Sequence, residues 1–398
     1  MEGAFMASVG QVERSLDAVK RRARELLDKL PWQHLADSPT IKYYTDWMLF
    51  EKQLAAVRRG EDTASEQRRL PEGYDAAVGS CTASSPANGL RVYRLEEAPR
   101  ELARIFASML QVNETRLTAA HYAFLKEAYV LEVRDPGVYR VAVCGPGGVW
   151  GSSHLVVAVE PGIEAALQLD ILPAGSGSTA VEIVAGEGSS LELLTVVRPP
   201  EAAVHALLVR RLVLEGTQLH SATIALGSAM HRIEEKILLA KSASLVHRGA
   251  GVAAGSQKLD YIADIIHQGP RSRSSVRLYS FALDKSIVAA RGVASIRETA
   301  RGSSASFDAE VLILGQHAQG YTMPLMEIDT GDVEHASHHA AQYRISSEQL
   351  FYLQSRGLSE TEALELLLAE RLRTTAQHLE KLAEKAEKIV GEILLRLS

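Results

Sequence analysis

The residues best equipped for chemistry lie in one short stretch. Asp329, Asp332, Glu334, His335, Ser337, His338 and His339 place three histidines and three carboxylates within eleven residues. Imidazole nitrogen and carboxylate oxygen are both competent ligands for iron(II). On a strand, alternate residues share a face, so His335 and Ser337 point one way and His338 the other. A metal held by one chain then needs a bend between them. The competing reading is a polar strand edge whose histidine is hydrogen-bonded in an interface.

Other chemistry-bearing residues are sparse. Cys81 and Cys144 are the only cysteines, far apart and without a C-x-x-C pattern. That argues against a disulfide framework and against a thiolate cage within one chain. Each reads as a small buried or incidental thiol, and reducing cytosol is the expected compartment. Gly249-Ala250-Gly251-Val252-Ala253-Ala254-Gly255 is similar to a dinucleotide loop, but no βαβ pattern surrounds it. Gly145 to Gly151 lacks a following Gly-Lys-Ser/Thr, so no nucleotide is expected on this chain. Arg271, Arg273, Arg277 and Arg291 make a locally basic region, either a solvated face or an anion or partner site.

Composition narrows the classes. With 398 residues and 46% hydrophobic content, the chain can bury one large core or several smaller ones. A net charge of −6 gives no global attraction to nucleic acid or to an anionic membrane. No apolar run approaches the ~20 residues of a membrane helix. Met1 to Gly10 lacks the basic-then-apolar order of a secretion signal. A sugar-active β-helix enzyme is disfavoured by an aromatic content of only 6%.

Three textures follow along the chain. Residues 1–137 read as mostly helical. Val12, Leu16, Val19, Ala23 and Leu27 recur at helical steps, a second helix is expected over 40–59, and 95–110 looks helical. The run 76–89 reads as a linker, and Tyr129 to Val133 as a strand. From 138 to 345, short Val/Ile/Leu runs are separated by small residues, including Gly249, Gly251, Gly255, Gly269, Gly292 and Gly302, which are expected in turns. Many strands without intervening helices indicate an all-β core, compatible with a sandwich, a jelly roll or a parallel β-helix. The scarcity of Asn-Gly and Asp-Gly hairpin signals favours a solenoid. Residues 346–398 return to helix. Ser346 or Ser347 caps one helix, and Ser359 with Glu362 forms a capping box for the next. Leu364, Leu368 and Leu372 begin an apolar stripe that packs either on its own core or against another subunit.

The C-terminal third resembles the SufB/SufD family of the SUF iron–sulfur assembly system. Ile345 to Leu358, containing Glu348-Gln349-Leu350-Phe351-Tyr352-Leu353 and Ser355-Arg356-Gly357-Leu358, is similar to the family's I-D-E-E-Q-L-F-Y-L-x-S-R-G-L. Ala263 to Ser274, Arg291-Gly292-Val293 and Met323-Pro324-Leu325-Met326-Glu327-Ile328 resemble its H-x-G-x-x-T-R-S, F-R-G and P-x-L-E-I elements.

The resemblance implies a right-handed parallel β-helix between helical N- and C-terminal regions. It implies pairing of two SufB/SufD-type subunits through β-helix ends, and a SufC-type ABC ATPase held by the C-terminal helices through Leu364, Leu368 and Leu372. Aligned on Ile345, His338 falls on the histidine of the SufD-type C-S-H-G-A-T and SufB-type E-H-E-A-T stretches. His339 falls on the SufB-type glutamate and Ala336 on the SufD-type cysteine. Ala318 falls on the SufB-type sulfur-accepting cysteine, and a methyl group cannot carry a persulfide. The chain therefore resembles the SufD-like member: a non-catalytic, cytoplasmic scaffold paired with a SufB-type paralogue or a second copy. His338, His339, His335 and Glu334 are its candidate contacts for transient iron or a nascent cluster. A stand-alone homodimeric iron-binding assembly protein is the alternative.

Overall fold

The computed structural model describes residues 15–37, 41–61, 68–70, 73–82, 86–345 and 347–397. Val12 and Ser346 lie outside them. The chain winds into a parallel β-solenoid of about eight turns, each turn adding one strand to each of two sheets. The first sheet contains β2 (Ala76–Gly79), β6 (Gly137–Cys144), β8 (Glu164–Leu172), β10 (Ser190–Val197), β12 (Gln218–Leu226), β14 (Ser244–Ala253), β16 (Arg273–Ala282), β18 (Ser303–Ile313) and β20 (Val333–Arg344). The second contains β4 (Leu90–Arg94), β5 (Leu125–Val133), β7 (Gly151–Val159), β9 (Gly177–Ala185), β11 (Val204–Val213), β13 (Met230–Leu239), β15 (Lys258–His267), β17 (Ile287–Ile296) and β19 (Gln319–Ile328). All neighbours are parallel except β4, which runs antiparallel to β5. A minor pair, β1 (Arg68–Arg69) and β3 (Cys81–Thr82), lies at the N-terminal end.

Three apolar layers explain the texture of the strands. Inward side chains such as Leu207, Val209, Ile233, Ile237, Leu245 and Leu278 fill the lumen between the sheets. The outer face of the second sheet is covered by α1 (Leu16–Leu26), α2 (Trp47–Arg58) and α4 (Arg116–Ala123), which pack on Ala180, Ala206, Leu208 and Met230. The outer face of the first sheet is covered by α6 (Glu360–Ala376) and α7 (Ala383–Leu397), over Leu194, Ile224, Val252 and Phe281. Strands buried on both faces read as continuous apolar runs, and every residue of β11 is buried. Later strands lose the outer cover, and β18 alternates buried and half-buried positions over most of its length.

The N-terminal layer is fastened by buried polar groups. The Glu182 carboxylate, on β9, accepts the backbone N–H groups of Ala107 (2.5 Å), Met109 (2.7 Å) and Leu110 (3.1 Å). It also contacts Nε2 of His154 at 3.1 Å, and His154 Nδ1 lies 3.1 Å from Nε2 of His121, which reaches Ser178 Oγ at 2.9 Å. Inside the lumen, Glu235 accepts from Arg211 (2.7 Å), Thr223 (2.8 Å) and Tyr261 (3.0 Å) and lies 2.8 Å from His247. Burial opposes the charge on Glu235, but Arg211 and His247 overcome it and hold the carboxyl below the usual range.

Several sequence expectations are corrected. Cys81 and Cys144 form a disulfide with Cα atoms 5.8 Å apart. The run 76–89 is not a free linker: β2 pairs with the end of β6, and Gly79 stands opposite Cys144 with Ser80 N–H on the Cys144 carbonyl at 3.0 Å. A Cβ at Gly79 would meet that carbonyl oxygen at 2.2 Å, so the close approach requires glycine. Residues 95–110 hold only a 3-10 turn, Leu95–Glu97, and the short α3 (Arg100–Ala103). The segment then bends through Ala107 at φ 55° so that its amides meet Glu182. Gly249, Gly251 and Gly292 lie within strands rather than turns. Cβ atoms at 249 and 251 would strike lumenal Tyr261 and Leu259. Solenoid pairing begins before residue 138, with β2 and β5. Among the described residues no helix is long and apolar enough to cross a membrane.

Two stability predictions follow from these contacts. The disulfide closes a 63-residue separation, so Cys81→Ser should cost about 2–4 kcal/mol. Chemical denaturation should show wild type treated with reductant falling to the variant's midpoint. Acid should also destabilise the fold. Burial pushes His231, His267 and His378 down to about 4, and burial with its histidine neighbours pushes His121 well below its ordinary value. The unfolded chain takes up these protons near pH 6.5 while the folded chain refuses them, so stability is lost as pH falls through this window. Asp264, raised by burial and Glu234, opposes the trend alone. The thermal midpoint should fall steadily from pH 6.5 to 4, and a flat profile would contradict the assignment.

Candidate functional site: the open end of the solenoid

The two ends of the solenoid differ. At the N-terminal end the sheets finish on short strands, four residues in β2 and five in the antiparallel β4. At the C-terminal end they finish on β20, of twelve residues, and β19, of ten. Among the described residues nothing pairs with the outer edge of either. Long unpaired edges present rows of free N–H and C=O groups, which proteins normally blunt or cover. Ile328 and Leu325 are 46% and 49% exposed there.

Register decides where the histidines point. Ala336, His338 and Ala340 stand opposite Ala305, Phe307 and Ala309, which face the lumen. Neighbours in a parallel ladder share a face, so His338 belongs to the lumenal row. It stays exposed because no further turn covers it. His335, Ser337 and His339 follow Ser304, Ser306 and Asp308 on the outer face. His335 Nε2 contacts Ser337 Oγ at 3.0 Å. Glu334 pairs with Arg273 at 2.7 Å, and Asp329 with Arg297 at 3.2 Å. The cluster therefore splits across two faces, and no group of three or more ligating side chains converges among the described residues.

The remaining candidates fall as follows. Ala318 is 1% exposed and packs in the lumenal core, beneath a loop whose Gly315 and Ala318 carbonyls accept from Arg344 at 2.7 and 2.8 Å. His317 is exposed. Three of the four arginines read as a basic region are neutralised: Arg273 on Glu334, Arg277 on Asp308 and Arg291 on Asp37 and Asp260. No basic patch results.

The capping box at Ser359 and Glu362 forms as expected, with mutual bonds of 3.2 and 2.7 Å. Leu368 and Leu372 are buried against the solenoid of the same chain, and Leu364 is half-buried. The apolar surface that α6 and the preceding α5 (Ser347–Ser355) leave to solvent is instead Phe351 (70%), Tyr352 (57%) and Leu366 (49%). Helical periodicity identified an apolar stripe, but periodicity cannot say which of two apolar faces meets the chain's own core. The two apolar faces should separate in mutagenesis. Leu372→Ala should cost about 2–5 kcal/mol by creating a cavity. Phe351→Ala should stay within about 0.5 kcal/mol of wild type. Urea denaturation of both variants checks this.

Comparison with known proteins gives the family. A family model described as SUF system FeS cluster assembly, SufBD core domain, matches residues 145–370, more than half of the chain. An iron–sulfur cluster assembly SufBD family protein of Mycobacterium tuberculosis (strain H37Rv) is 27% identical over 309 residues, 70% of this chain and 77% of that protein. One of Staphylococcus saprophyticus is 27% identical over 192 residues, and the match spans 48% of this chain but only 41% of the staphylococcal protein. The chain belongs to the SufBD family of iron–sulfur cluster assembly proteins.

Proposed function

We propose that the chain is the SufD-like scaffold subunit of an iron–sulfur cluster assembly complex, soluble in the cytoplasm. Its solenoid pairs end to end with a SufB-type paralogue or a second copy, and its C-terminal helices hold a SufC-type ABC ATPase. One observation carries this reading: β19 and β20 form two long unpaired edges around an apolar end with His338 in the lumenal row. A partner solenoid would satisfy those edges and bring its own donors to His338, with His335 and His339 at the rim. Iron or a nascent cluster is then cargo held between two chains. The alanine at 318 removes the thiol that a sulfur acceptor needs, which favours a structural and iron-contacting part over a catalytic one. Phe351, Tyr352 and Leu366 are the side chains offered to the ATPase.

Co-expression with a SufB-type paralogue and a SufC-type ATPase tests this. All three should co-purify. Ile328→Arg should release the paralogue and keep the ATPase, because it sets a charge in the apolar end. Phe351→Asp should do the reverse. His338→Ala should leave the complex intact and lower iron retained after anaerobic reconstitution. Failure of the wild-type chain to hold either partner would sink the proposal.

A further inference from the structure

A second site lies on the outer face of the second sheet and reaches β19, the last strand of that sheet, through Met323 and Leu325. Residues 33–34 and 114–115 arch over β13, β15 and β17 and enclose a cavity of about 470 Å³. Its surroundings carry many charges, but nearly all are committed to each other. Arg210 pairs with Glu114 (2.9 Å) and Glu234 (2.6 Å), and Arg232 pairs with Glu234 (2.7 Å) and Asp260 (3.0 Å). Arg291 pairs with Asp260 (2.8 Å) and Asp37 (2.7 Å). This continuous network fixes the cavity's frame.

Two lining groups stand outside the network. The Lys236 ammonium makes no hydrogen bond or ion pair among the described residues. Asp264 is its register neighbour on the adjacent strand, yet the two do not close to ion-pair distance. Asp264 instead accepts the Val293 N–H at 3.1 Å through one oxygen. Burial and the Glu234 carboxylate push its carboxyl up, while the nearby Lys236 charge draws it down. Ile262, Val293 and Leu325, on the same face of the sheet as Lys236, make part of the cavity floor apolar. An uncommitted ammonium in a partly enclosed cleft attracts an anion more strongly than one in open water. An apolar floor beside it favours a hydrocarbon body behind the anionic head.

We propose that this cavity binds a small organic oxyanion, a carboxylate or phosphate monoester on an apolar or aromatic body, through the Lys236 ammonium. The inference does not rest on the assembly role, and its test needs neither the ATPase nor a paralogue. Isothermal titration of the full chain with benzoate and phenyl phosphate should give a Kd below about 1 mM for at least one of them. Which binds tighter tells carboxylate from phosphate. Acetate and inorganic phosphate, which offer the head alone, should bind at least about tenfold more weakly.

Lys236→Met should weaken the better probe by at least about tenfold, the loss of one charge-assisted hydrogen bond. Lys236→Arg should restore most of the affinity, which guards against a folding defect in the first variant. Asp264→Asn should leave binding equal or tighter, because it removes a negative charge. Three results would overturn the proposal: no heat with either aromatic oxyanion, equal affinity in wild type and a folded Lys236→Met protein, or preferential binding of benzylamine that Asp264→Asn abolishes.

Discussion

Every strand of this solenoid depends on the turn before it and the turn after it. A parallel ladder satisfies backbone groups only between turns, and the lumenal side chains are buried only when another layer lies above them. The interior therefore looks after itself, and the ends do not. At the N-terminal end the chain spends its short strands β2 and β4, a disulfide and a helical layer on closure. At the C-terminal end two long strands stop with nothing beyond them among the described residues. That asymmetry leaves one end of the solenoid open.

The same constraint explains the polar groups held inside. The lumen is filled mainly by Val, Leu, Ile and Ala, so Glu235 persists as a charge only because Arg211, His247, Thr223 and Tyr261 converge on it. Removing one partner of such a cluster leaves an uncompensated buried group. Glu182 has the corresponding position outside the second sheet. Its three backbone donors tie residues 107–110 to β9 and bring Ala107 into a backbone conformation that alanine rarely adopts. Buried carboxylates thus fix where irregular segments sit, a task that apolar packing does less specifically.

The outer faces divide the labour. The N-terminal helices pack on the second sheet from β5 to β13, and the C-terminal helices on the first sheet from β8 to β18. Toward the last turns the helical cover becomes partial, and there the outer rows carry paired charges such as Arg277 with Asp308 and Arg273 with Glu334. Lys236 and Asp264 sit where cover gives way to bare sheet, beneath the edge of the N-terminal layer. A charged residue at such a boundary is neither fully solvated nor fully paired, which is the condition a binding site needs.

The sequence by itself determined the class of fold and the family. Apolar runs of strand length, the shortage of hairpin turns, and the Glu348 to Leu358 motif are all local signals, and local signals survive in a linear reading. The alternation of His335 and His338 was legible for the same reason, since a strand's period is intrinsic to its backbone. Only the tertiary structure decided the rest. Nothing in the spacing of Cys81 and Cys144 brings them together; that takes β2 folding back on β6. Nothing in the helical stripe assigns Leu368 and Leu372 to the chain's own core and Phe351 to solvent. Arg291 reads as part of a basic run until its partners, Asp37 and Asp260, arrive from 254 and 31 residues away. Which face is covered, and which charge meets which, are set by contacts between distant turns, and a chain read one window at a time carries no record of them.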